Sequence, residues 1–484
     1  MNEKFYVSLH NSFELQNMLY HFLADKIRTQ LPFEPTREQE ACIELLAQFC
    51  TTVSANENHA FLLTGYAGTG KTSLVSALVN ALAELQQKTV LLAPTGRAAK
   101  VFSNYAHQPA YSIHKKIYRQ QSGSHEFHLN FNSHKDTLFL VDEASMIANI
   151  PSDGTHFGSG RLLDDLMEFI YTGDNCRLIL IGDVAQLPPV MQPLSPALDK
   201  LKLESYGLTV GFTELTEVVR QTADSGILHN ATIIRQALTQ NASTLELNSA
   251  FDDIRRINGT ELIDEIQTAF GRSGAENCII ITRSNKRAVL YNRGIRNQVL
   301  FKEDELSNGD LLLVTKNNYF WSKEYPDLEF IANGDIAEIV RIRGYHDMYN
   351  LRFADITLNF LDYDCEIDAR ILIDSLYTET PAAADQLHKK LLAAVEEDFI
   401  EIGNRRERYK AMIKSDYLNA LHVKFGYAIT CHKAQGGQWQ EVFLDQGGIT
   451  ADAIDSDYLR WLYTAFTRAQ KKLYLINFND NFFN

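Results

Sequence analysis

GYAGTGKT, at residues 65–72, satisfies the pattern G-x-x-x-x-G-K-[ST] in full. The apolar run AFLLT at 60–64 is typical of a buried parallel strand, and SLVSALVNALAEL at 73–85 has the periodicity of a helix. Strand, glycine-rich turn and helix together predict a phosphate-binding loop, because backbone N–H groups and the helix N-terminus both attract an anion. Residues of this loop are predicted to bind a nucleotide, namely Gly65, Gly68, Thr69, Gly70, Lys71 and Thr72.

A second apolar run, LFLV at 138–141, ends in the carboxylates Asp142 and Glu143. Ligands bind at the carboxyl ends of parallel strands, so these side chains are expected beside the phosphates. We expect Asp142 and the Thr72 hydroxyl to hold Mg²⁺, directly or through water, and Lys71 to contact the β- and γ-phosphates. Glu143 is expected to orient and deprotonate the attacking water.

A third apolar run, RLILI at 177–181, leads into the loop GDVAQLPP. Gln186 in this loop is expected to hydrogen-bond the γ-phosphate or the attacking water, unless the segment is only a polar loop ended by its prolines. Upstream, EQEACIELLAQF at 38–49 indicates a helix. Gln39 at its start could recognise the adenine edge, because an amide offers a donor and an acceptor, although a helical glutamine is usually on the surface.

The C-terminal part of the chain contains another α/β pattern that has no P-loop of its own. EVFLD at 441–445 and KLYLIN at 472–477 indicate strands, and the segment YTAFTRA between them contains Arg468. An arginine supplied from outside the P-loop domain can stabilise charge on the transferring phosphoryl group. Arg468 is the first candidate for this role, and Arg220 in the segment LTEVVRQ is the second.

Together these segments resemble the superfamily 1 helicases, specifically their RecD/Dda-like 5′→3′ branch of AAA-type P-loop ATPases. GYAGTGKT is similar to motif I of that family, LAPTGRAAK to motif Ia, and YSIHKKIY to the DNA-contact segment that follows. LVDEASMI is similar to motif II, IGDVAQLPPV to motif III, LTEVVRQ to motif IV, GYAITCHKAQGGQW to motif V and YTAFTRAQKKLYLI to motif VI. The segments follow the family's order, and the match extends from about Phe33 to Asn477.

The resemblance implies an α/β protein with two tandem RecA-like domains that close on ATP and Mg²⁺ and move along one strand of nucleic acid. It assigns Gln39 to the adenine and Gln438 to a position where many relatives carry a glutamate that contacts the ribose. Because a glutamine can still accept a hydrogen bond, ATP use is expected, with a shifted selectivity for base and sugar. The hydrolysis machinery implied by the resemblance is Lys71, Thr72, Asp142, Glu143, Gln186, Arg220 and Arg468.

The resemblance also predicts which residues lie near the bound strand. Alternatives remain for some of them, since Thr95 and Arg97 could simply begin a helix and His114 could be a satisfied core histidine. Motif III lacks the base-stacking aromatic residue of the 3′→5′ branch, so movement in the 5′→3′ direction is expected by resemblance. The predicted strand-contact residues are Pro94, Thr95, Arg97, His114, Thr430, His432 and Lys433.

The predicted domain organisation follows the motifs. Residues 1–30 form an extension, expected to pack as a helix on the first RecA-like domain at 31–225. The second RecA-like domain comprises 226–300 and 421–484. Short strand patterns with Asn-Gly turns predict that the insertion at 301–420 is a small SH3-like β-barrel followed by charged helices.

A small hairpin is predicted at residues 117–135, inserted in the first domain. By resemblance it would be the wedge that separates the duplex, with Phe127 or Phe131 as a tip or packing residue, while the alternative is an ordinary surface hairpin.

The composition limits the class of protein. The chain has 484 residues and a formal net charge of −15, which taken alone disfavours nucleic acid. A motor needs only a local basic groove, however, and an acidic remainder limits non-specific binding. The cysteines are scattered without a CxxC pair, so we expect reduced thiols in a cytoplasmic protein rather than a zinc or iron–sulfur site. No signal peptide or membrane span is expected.

The expected partners are single-stranded DNA and duplex junctions, with RNA as a further possibility, and the protein is expected to act as a monomer in DNA repair, recombination or replication. The main alternative is an ATPase subunit of an exonuclease complex that has no nuclease activity of its own. A nuclease is disfavoured because no spaced carboxylate–lysine cluster occurs outside the motifs. A non-enzymatic clamp is disfavoured because Lys71, Glu143 and both arginines are intact.

Overall fold

The computed structural model describes residues 18–52, 57–120, 127–151, 157–219, 224–325, 328, 330–361, 365–450 and 453–483. The chain forms two compact units, Met1–Leu228 and His229–Asn484. No helix within these described ranges is long and apolar enough to cross a membrane.

A parallel sheet forms the centre of the first unit. Its strands, with the short hairpin strands, are β1 (His59–Gly65), β2 (Lys88–Ala93), β3 (Ala110–Ser112), β4 (Tyr118–Gln120), β5 (Phe127–Leu129), β6 (Thr137–Val141), β7 (Arg177–Gly182) and β8 (Thr209–Leu215). The order is β3-β2-β6-β7-β1-β8, and every neighbouring pair is parallel. The runs AFLLT, LFLV and RLILI are apolar throughout because β1, β6 and β7 are interior strands covered on both faces.

Helices cover this sheet. They are α1 (residues 18–30), α2 (Arg37–Thr51), α3 (Lys71–Glu84), α4 (Gly96–Ala106), α5 (Ile113–Ile117), α6 (Leu162–Tyr171) and α7 (Lys200–Glu204). Leu23, Ala24 and Ile27 of α1 are buried in the core shared with α2, α3 and the sheet. Residues 18–30 therefore pack on the first unit as a helix.

The predicted hairpin is confirmed in the described residues. β4 and β5 pair antiparallel, with Tyr118 opposite Leu129, and the connecting residues 121–126 lie outside the described part of the chain. Phe127 is buried with its ring centroid 4.7 Å from that of Phe157, whereas Phe131 is 80% exposed. Of the two phenylalanines, Phe127 is thus the packing residue and Phe131 is the exposed one.

The second unit contains another parallel sheet and a closed barrel. Its strands are β9 (Ile254–Ile257), β10 (Cys278–Thr282), β11 (Leu311–Val314), β12 (Ile336–Met348), β13 (Leu351–Phe360), β14 (Cys365–Leu372), β15 (Leu421–Phe425), β16 (Ala428–Thr430), β17 (Trp439–Asp445) and β18 (Ala469–Ile476). The sheet has the order β16-β10-β17-β18-β9 with parallel neighbours, which confirms a second RecA-like fold. Its helices, with those of the insertion, are α8 (Gly226–Thr239), α9 (Leu262–Ser273), α10 (Asn285–Gly294), α11 (Pro381–Glu397), α12 (Arg405–Met412), α13 (Cys431–Ala434) and α14 (Ser456–Phe466).

Strands β11 to β15 close the predicted barrel. Neighbours are antiparallel except β14 and β15, which pair in parallel after the excursion through α11 and α12. Leu391 and Val395 of α11 share a core with Phe353 and Leu372 of the barrel, so the charged helices pack on it by one apolar face. The last barrel strand ends at Phe425, beyond the predicted end of the insertion at 420. The detailed domain boundaries stay a prediction.

Candidate functional site

The predicted phosphate loop joins β1 to α3. Gly68 and Gly70 both have a φ of 78°, a conformation that favours glycine. A Cβ atom at Gly70 would come within 2.3 Å of the Gln39 Nε2, so a side chain there would displace the Gln39 amide. The Lys71 Nζ donates to the carbonyl oxygens of Gly65 at 2.5 Å and Tyr66 at 2.9 Å, which holds the lysine along the loop.

The sheet register brings the three predicted motif loops to one edge. Thr64 of β1 pairs with Gly182 of β7, and Val141 of β6 pairs with Leu180 of the same strand. The loops that follow β1, β6 and β7 therefore leave the sheet side by side at its carboxyl edge, where α/β folds bind ligands.

Asp142 is held at this edge by hydrogen bonds to both carboxylate oxygens. The Tyr105 hydroxyl donates to Oδ2 at 2.5 Å, and the Glu143 N–H donates to Oδ1 at 2.8 Å. The pKa of the Asp142 carboxyl is raised, because burial outweighs these hydrogen bonds and the charge of Lys71, which lower it. Burial and then the Asp142 charge raise the pKa of Tyr105 well above its usual value, so its hydroxyl remains a donor at neutral pH.

The loop after β7 is organised by a buried aspartate. Asp183 is 2% exposed, and its Oδ1 accepts a hydrogen bond from the Ala185 N–H at 2.9 Å. The Gln186 N–H donates to the Asp183 carbonyl at 3.3 Å, and the Gln186 side chain is buried. Farther along, the Ser195 hydroxyl bridges to the Ala144 carbonyl at 2.7 Å, which ties this loop to the segment after Glu143.

Gln39 contacts the phosphate loop itself. Its Nε2 donates to the Thr69 carbonyl at 2.9 Å, and its Oε1 accepts from the Thr36 N–H at 2.9 Å in a capping box at the start of α2. The side chain is 1% exposed. Gln39 therefore anchors α2 to the loop. The adenine contact stays a prediction, in which the second N–H of the Gln39 amide donates to the base.

The segment that leads to Arg220 lies against the same loop. The Val219 N–H donates to the Gly68 carbonyl at 3.0 Å. Glu38 of α2 accepts hydrogen bonds from both the N–H and the hydroxyl of Thr216 at 2.6 Å. Arg220 itself lies outside the described residues, so its predicted role stays a prediction.

The predicted strand-contact residues of the first unit have structural roles as well. Pro94 follows β2 and is buried, and the Thr95 hydroxyl accepts from the Ala98 N–H at 3.1 Å as the N-cap of α4. Arg97 is half-buried in the first turn of that helix. The alternative that Thr95 begins a helix is thus correct, and it does not exclude contact with a strand.

His114 lies in α5 among aromatic side chains. Its ring centroid is 4.9 Å from that of Phe157 and 5.7 Å from that of Tyr118. Burial lowers the pKa of His114 to about 4, so the ring is neutral at pH 7. These contacts favour the core-histidine alternative, and contact with DNA stays a prediction.

In the second unit, the predicted strand-contact residues of motif V lie in α13 or cap its start. Thr430 caps the helix without a described side-chain bond to it, and His432 is exposed. The Lys433 Nζ donates to the Asn333 Oδ1 in the turn before β12 at 3.2 Å. Burial and the charge of Lys424 lower the pKa of Lys433 to about 8.

Arg468 is buried within the second unit and is 3% exposed. Its Nε donates to the Thr464 carbonyl at 3.1 Å, its Nη1 to the Gly437 carbonyl at 3.3 Å, and its Nη2 to the Thr467 hydroxyl at 3.2 Å. These contacts join motif V to motif VI. The neighbouring Gln438 is exposed and accepts from Gln470 at 2.8 Å.

Sequence reasoning missed Tyr105, Ser195 and Glu38, which hold the motif loops in place, and it noted Asp183 only as an acidic residue at the edge of the sheet, without this role. Only Asp183 gave a local signal, as an acidic residue directly after a buried strand. The others act across 37 to 178 residues of chain separation, where no sequence pattern connects the partners.

Two protein-family models match the chain, one in its N-terminal half and one near its C-terminus. The family model described as an AAA domain matches residues 47–258, and the model described as a UvrD-like helicase C-terminal domain matches residues 425–476. The chain is 25% identical over 423 residues to the ATP-dependent RecD2 DNA helicase of Deinococcus radiodurans, a match that covers 85% of this chain and 46% of that relative. The chain thus spans about half the length of that relative.

Two further similarities extend over most of the chain. An uncharacterized protein of Acanthamoeba polyphaga mimivirus is 24% identical over 501 residues, covering 87% of this chain and 96% of its own length. A crystal structure of Pif1 helicase from Bacteroides in complex with ADP-AlF3 and ssDNA aligns with a TM-score of 0.47 and 14% identity, over 93% of this chain and 95% of that one. The two family models and the RecD2 relative thus show that this chain is similar to superfamily 1 helicases in both its AAA domain and its C-terminal helicase segment.

Proposed function

We propose that the protein is an ATP-dependent DNA helicase, which hydrolyses ATP to move 5′→3′ along single-stranded DNA and unwinds duplex at a junction. The observation that carries the proposal is the assembly at the carboxyl edge of the first sheet. There the phosphate loop, the Asp142–Glu143 pair and the Gln186 loop leave adjacent strands. These parts bind a nucleoside triphosphate, hold its metal and orient the attacking water.

The residues at this edge fit ATP and Mg²⁺. Glycines allow the backbone of such a turn to approach a phosphate closely, and Gly70 has a left-handed conformation that favours glycine. The exposed Thr72 hydroxyl and the Asp142 carboxylate are oxygen ligands of the kind Mg²⁺ prefers. When bound, Mg²⁺ neutralises charge on the β- and γ-phosphate oxygens.

Five residues of the predicted site have defined tasks in the proposed hydrolysis. Lys71 turns from the loop carbonyls to the phosphates, because a charge-assisted bond to phosphate is stronger than one to a neutral carbonyl. Glu143 accepts a proton from the attacking water, and Gln186 aligns that water. Arg468 and Arg220 stabilise charge on the transferring phosphoryl group.

Single-stranded DNA is the proposed track. The strand-contact positions are those carried over from the family: Pro94, Thr95, Arg97, His114, Thr430, His432 and Lys433. Lys433 suits a phosphate contact because its charge is partly desolvated and has Lys424 as a neighbour, so an anion is favoured there. The loop GDVAQLPP supports the 5′→3′ direction by resemblance, and the exposed Phe131 beside the hairpin suits a wedge.

ATP turnover measured with and without single-stranded DNA tests the proposal. We expect strong stimulation of ATP turnover by DNA. The logarithm of the apparent binding constant for DNA should fall with the logarithm of the salt concentration, with a slope of about −0.7 for each phosphate neutralised. Duplexes with a 5′ or a 3′ single-stranded tail should separate only in the 5′-tailed form. Lys71→Ala is the control, and it should fold but not turn over ATP, because it removes the cation from the phosphate loop.

Three outcomes have distinct meanings. A basal rate that no nucleic acid changes would contradict a DNA motor and favour another class of ATPase. Unwinding of only the 3′-tailed duplex would contradict the direction alone. Stimulation by single-stranded RNA but not by DNA would contradict the choice of track.

A further inference from the structure

Tyr105 holds the predicted metal-binding carboxylate from outside every motif. It lies at the end of α4, and its hydroxyl donates to the Asp142 Oδ2 at 2.5 Å. The opposite oxygen of the same carboxylate accepts from the Glu143 N–H at 2.8 Å. The Asp142 N–H in turn donates to the Leu92 carbonyl at 2.9 Å, so the backbone at Asp142 is anchored to β2.

Tyr105 is itself fixed by the helix that begins at the phosphate loop. The Ser76 hydroxyl of α3 donates to the Tyr105 carbonyl at 2.6 Å. The Tyr105 ring stacks on Phe102, with centroids 5.1 Å apart and planes inclined by 27°, and it packs against the core of the first unit. The phenol therefore has little freedom, and α3 and α4 determine its position.

This arrangement restricts the carboxylate. With one hydrogen bond on each oxygen, the Asp142 side chain cannot rotate without breaking both. Each carboxylate oxygen has two lone-pair sites, so Oδ2 keeps one for a metal ion or for metal-bound water. Partners that orient a ligand in this way typically change metal affinity by about 10–100-fold.

We propose that Tyr105 is a positioning residue for Mg²⁺ binding: its hydroxyl sets the orientation in which the Asp142 carboxylate meets the metal of the bound nucleotide. The proposal rests on the proposed function, because it takes Asp142 as a ligand of Mg²⁺. Tyr105 acts through Asp142 and does not itself contact the nucleotide. Its removal should therefore weaken the metal's contribution to binding and spare the phosphate loop.

The test is Tyr105→Phe, which removes the hydroxyl and keeps the ring. Binding of fluorescent ADP is measured by titration with Mg²⁺, and separately in EDTA. We expect the Mg²⁺ concentration for half-maximal enhancement of binding to rise about 10-fold or more, while binding in EDTA stays unchanged. The ATPase should show the same shift in Mg²⁺ dependence, with turnover largely recovered at saturating Mg²⁺.

Tyr206→Phe is the matched control, because the Tyr206 hydroxyl also donates to a carboxylate, that of Asp164, in the same unit, and neither residue belongs to a motif. It should leave the Mg²⁺ dependence unchanged, with a comparable effect on thermal unfolding. A Mg²⁺ dependence of Tyr105→Phe equal to that of Tyr206→Phe would overturn the proposal.

Two additional measurements keep the result clear. If Tyr105→Phe does not fold, Ser76→Ala carries the test, since it releases the Tyr105 backbone but keeps the hydroxyl. A smaller rise in the Mg²⁺ requirement supports the proposal, and an unchanged requirement contradicts it. Failure of the wild-type protein to bind or hydrolyse ATP would instead overturn the proposed function.

Discussion

Among the single residues of the site, Glu143 has a backbone conformation that is costly for any residue other than glycine. Its φ of 52° lies in the left-handed region, which costs a non-glycine residue of order 1–3 kcal/mol. The conformation turns the Glu143 N–H onto the Asp142 carboxylate and begins the short turn Ala144–Met146. Strain of this kind persists where the surroundings enforce it, and it suits a side chain that must point at a ligand.

Glu143→Gln should therefore separate binding from hydrolysis. The amide keeps the size and polarity of the side chain, and the Glu143 N–H that holds Asp142 is unchanged. We expect normal binding of ATP and single-stranded DNA, with hydrolysis slower by about 10²–10⁴-fold because the general base is lost. Single-turnover hydrolysis and equilibrium nucleotide binding measure the two effects. Glu168→Gln, on the exposed face of α6, is the control, and a Glu143→Gln protein that loses ATP binding would indicate a structural role.

The sequence predicted residues whose task follows from a local motif, and it missed those that act over a distance. Lys71 and Asp142 follow apolar strands, and the sheet register brings their loops to one edge as expected. Tyr105 is 37 residues from its partner, and the contact exists because α4 packs on β2, the strand that pairs with β6. Gln39 has a role that its motif did not predict. The motif predicts a contact with the ligand, and the side chain also donates a hydrogen bond to the phosphate loop.

At the scale of elements, the strands that the sequence predicted are the interior ones. β1, β6 and β7 are buried on both faces and are therefore apolar along their length. β8, with the sequence TVGFTEL, lies at the edge of the sheet and is only partly buried. It has no apolar run from which the strand could be predicted. The barrel was predictable because its turns contain Asn-Gly, while its closure by β15 depends on a strand 49 residues after β14.

Asp310 connects the barrel to the α/β part of the second unit. It is fully buried, and its carboxylate accepts from the Arg296 Nε at 3.1 Å, the Arg296 Nη2 at 3.0 Å and the Lys302 Nζ at 3.0 Å. The Tyr427 hydroxyl adds a bond at 3.1 Å. Arg296 is 5% exposed and lies over the Phe425 ring, so the Asp310 carboxylate is needed to compensate the buried positive charge of its guanidinium.

Asp310→Asn should destabilise the second unit strongly. The amide leaves the Arg296 guanidinium buried without its counter-charge, and breaking such a pair typically costs about 3–5 kcal/mol. Chemical denaturation followed by a spectroscopic probe measures the change. Asp368→Asn is the matched control in the same barrel, because its pair with Arg343 is exposed and worth about 0–1 kcal/mol. Equal free energies of unfolding for the two variants would show that the buried Asp310–Arg296 pair does not stabilise the barrel.

At the scale of the whole molecule, the order of motifs carried information that no single segment did. Each unit was predicted as a RecA-like sheet, and the structure confirms both. Only the first unit has a phosphate loop, whereas Arg468 belongs to the second. In the proposed mechanism Arg468 stabilises charge on the phosphoryl group, an expectation that rests on the family resemblance.

Substitutions of Arg468 test its proposed role in hydrolysis. Arg468→Ala should bind ATP with a modest loss and hydrolyse it poorly, by about 10³–10⁵-fold in the best-studied systems in which an arginine stabilises phosphoryl transfer. Arg468→Lys should recover little, because a point charge replaces neither the planar fork nor the bonds that three guanidinium nitrogens make to Thr464, Gly437 and Thr467. Unwinding of a tailed duplex should fall with hydrolysis, since closure on ATP is the proposed source of movement.

Stability must be separated from catalysis in this experiment, because Arg468 also joins motif V to motif VI inside the second unit. Thermal unfolding of both variants shows how much of the loss is structural. Arg256→Ala is the control in the same unit, since Arg256 forms an exposed ion pair with Asp480 and should leave turnover unchanged. A folded Arg468→Ala protein with wild-type turnover on single-stranded DNA would show that the second unit does not complete the ATP site, and that Arg468 serves only to connect its two motifs.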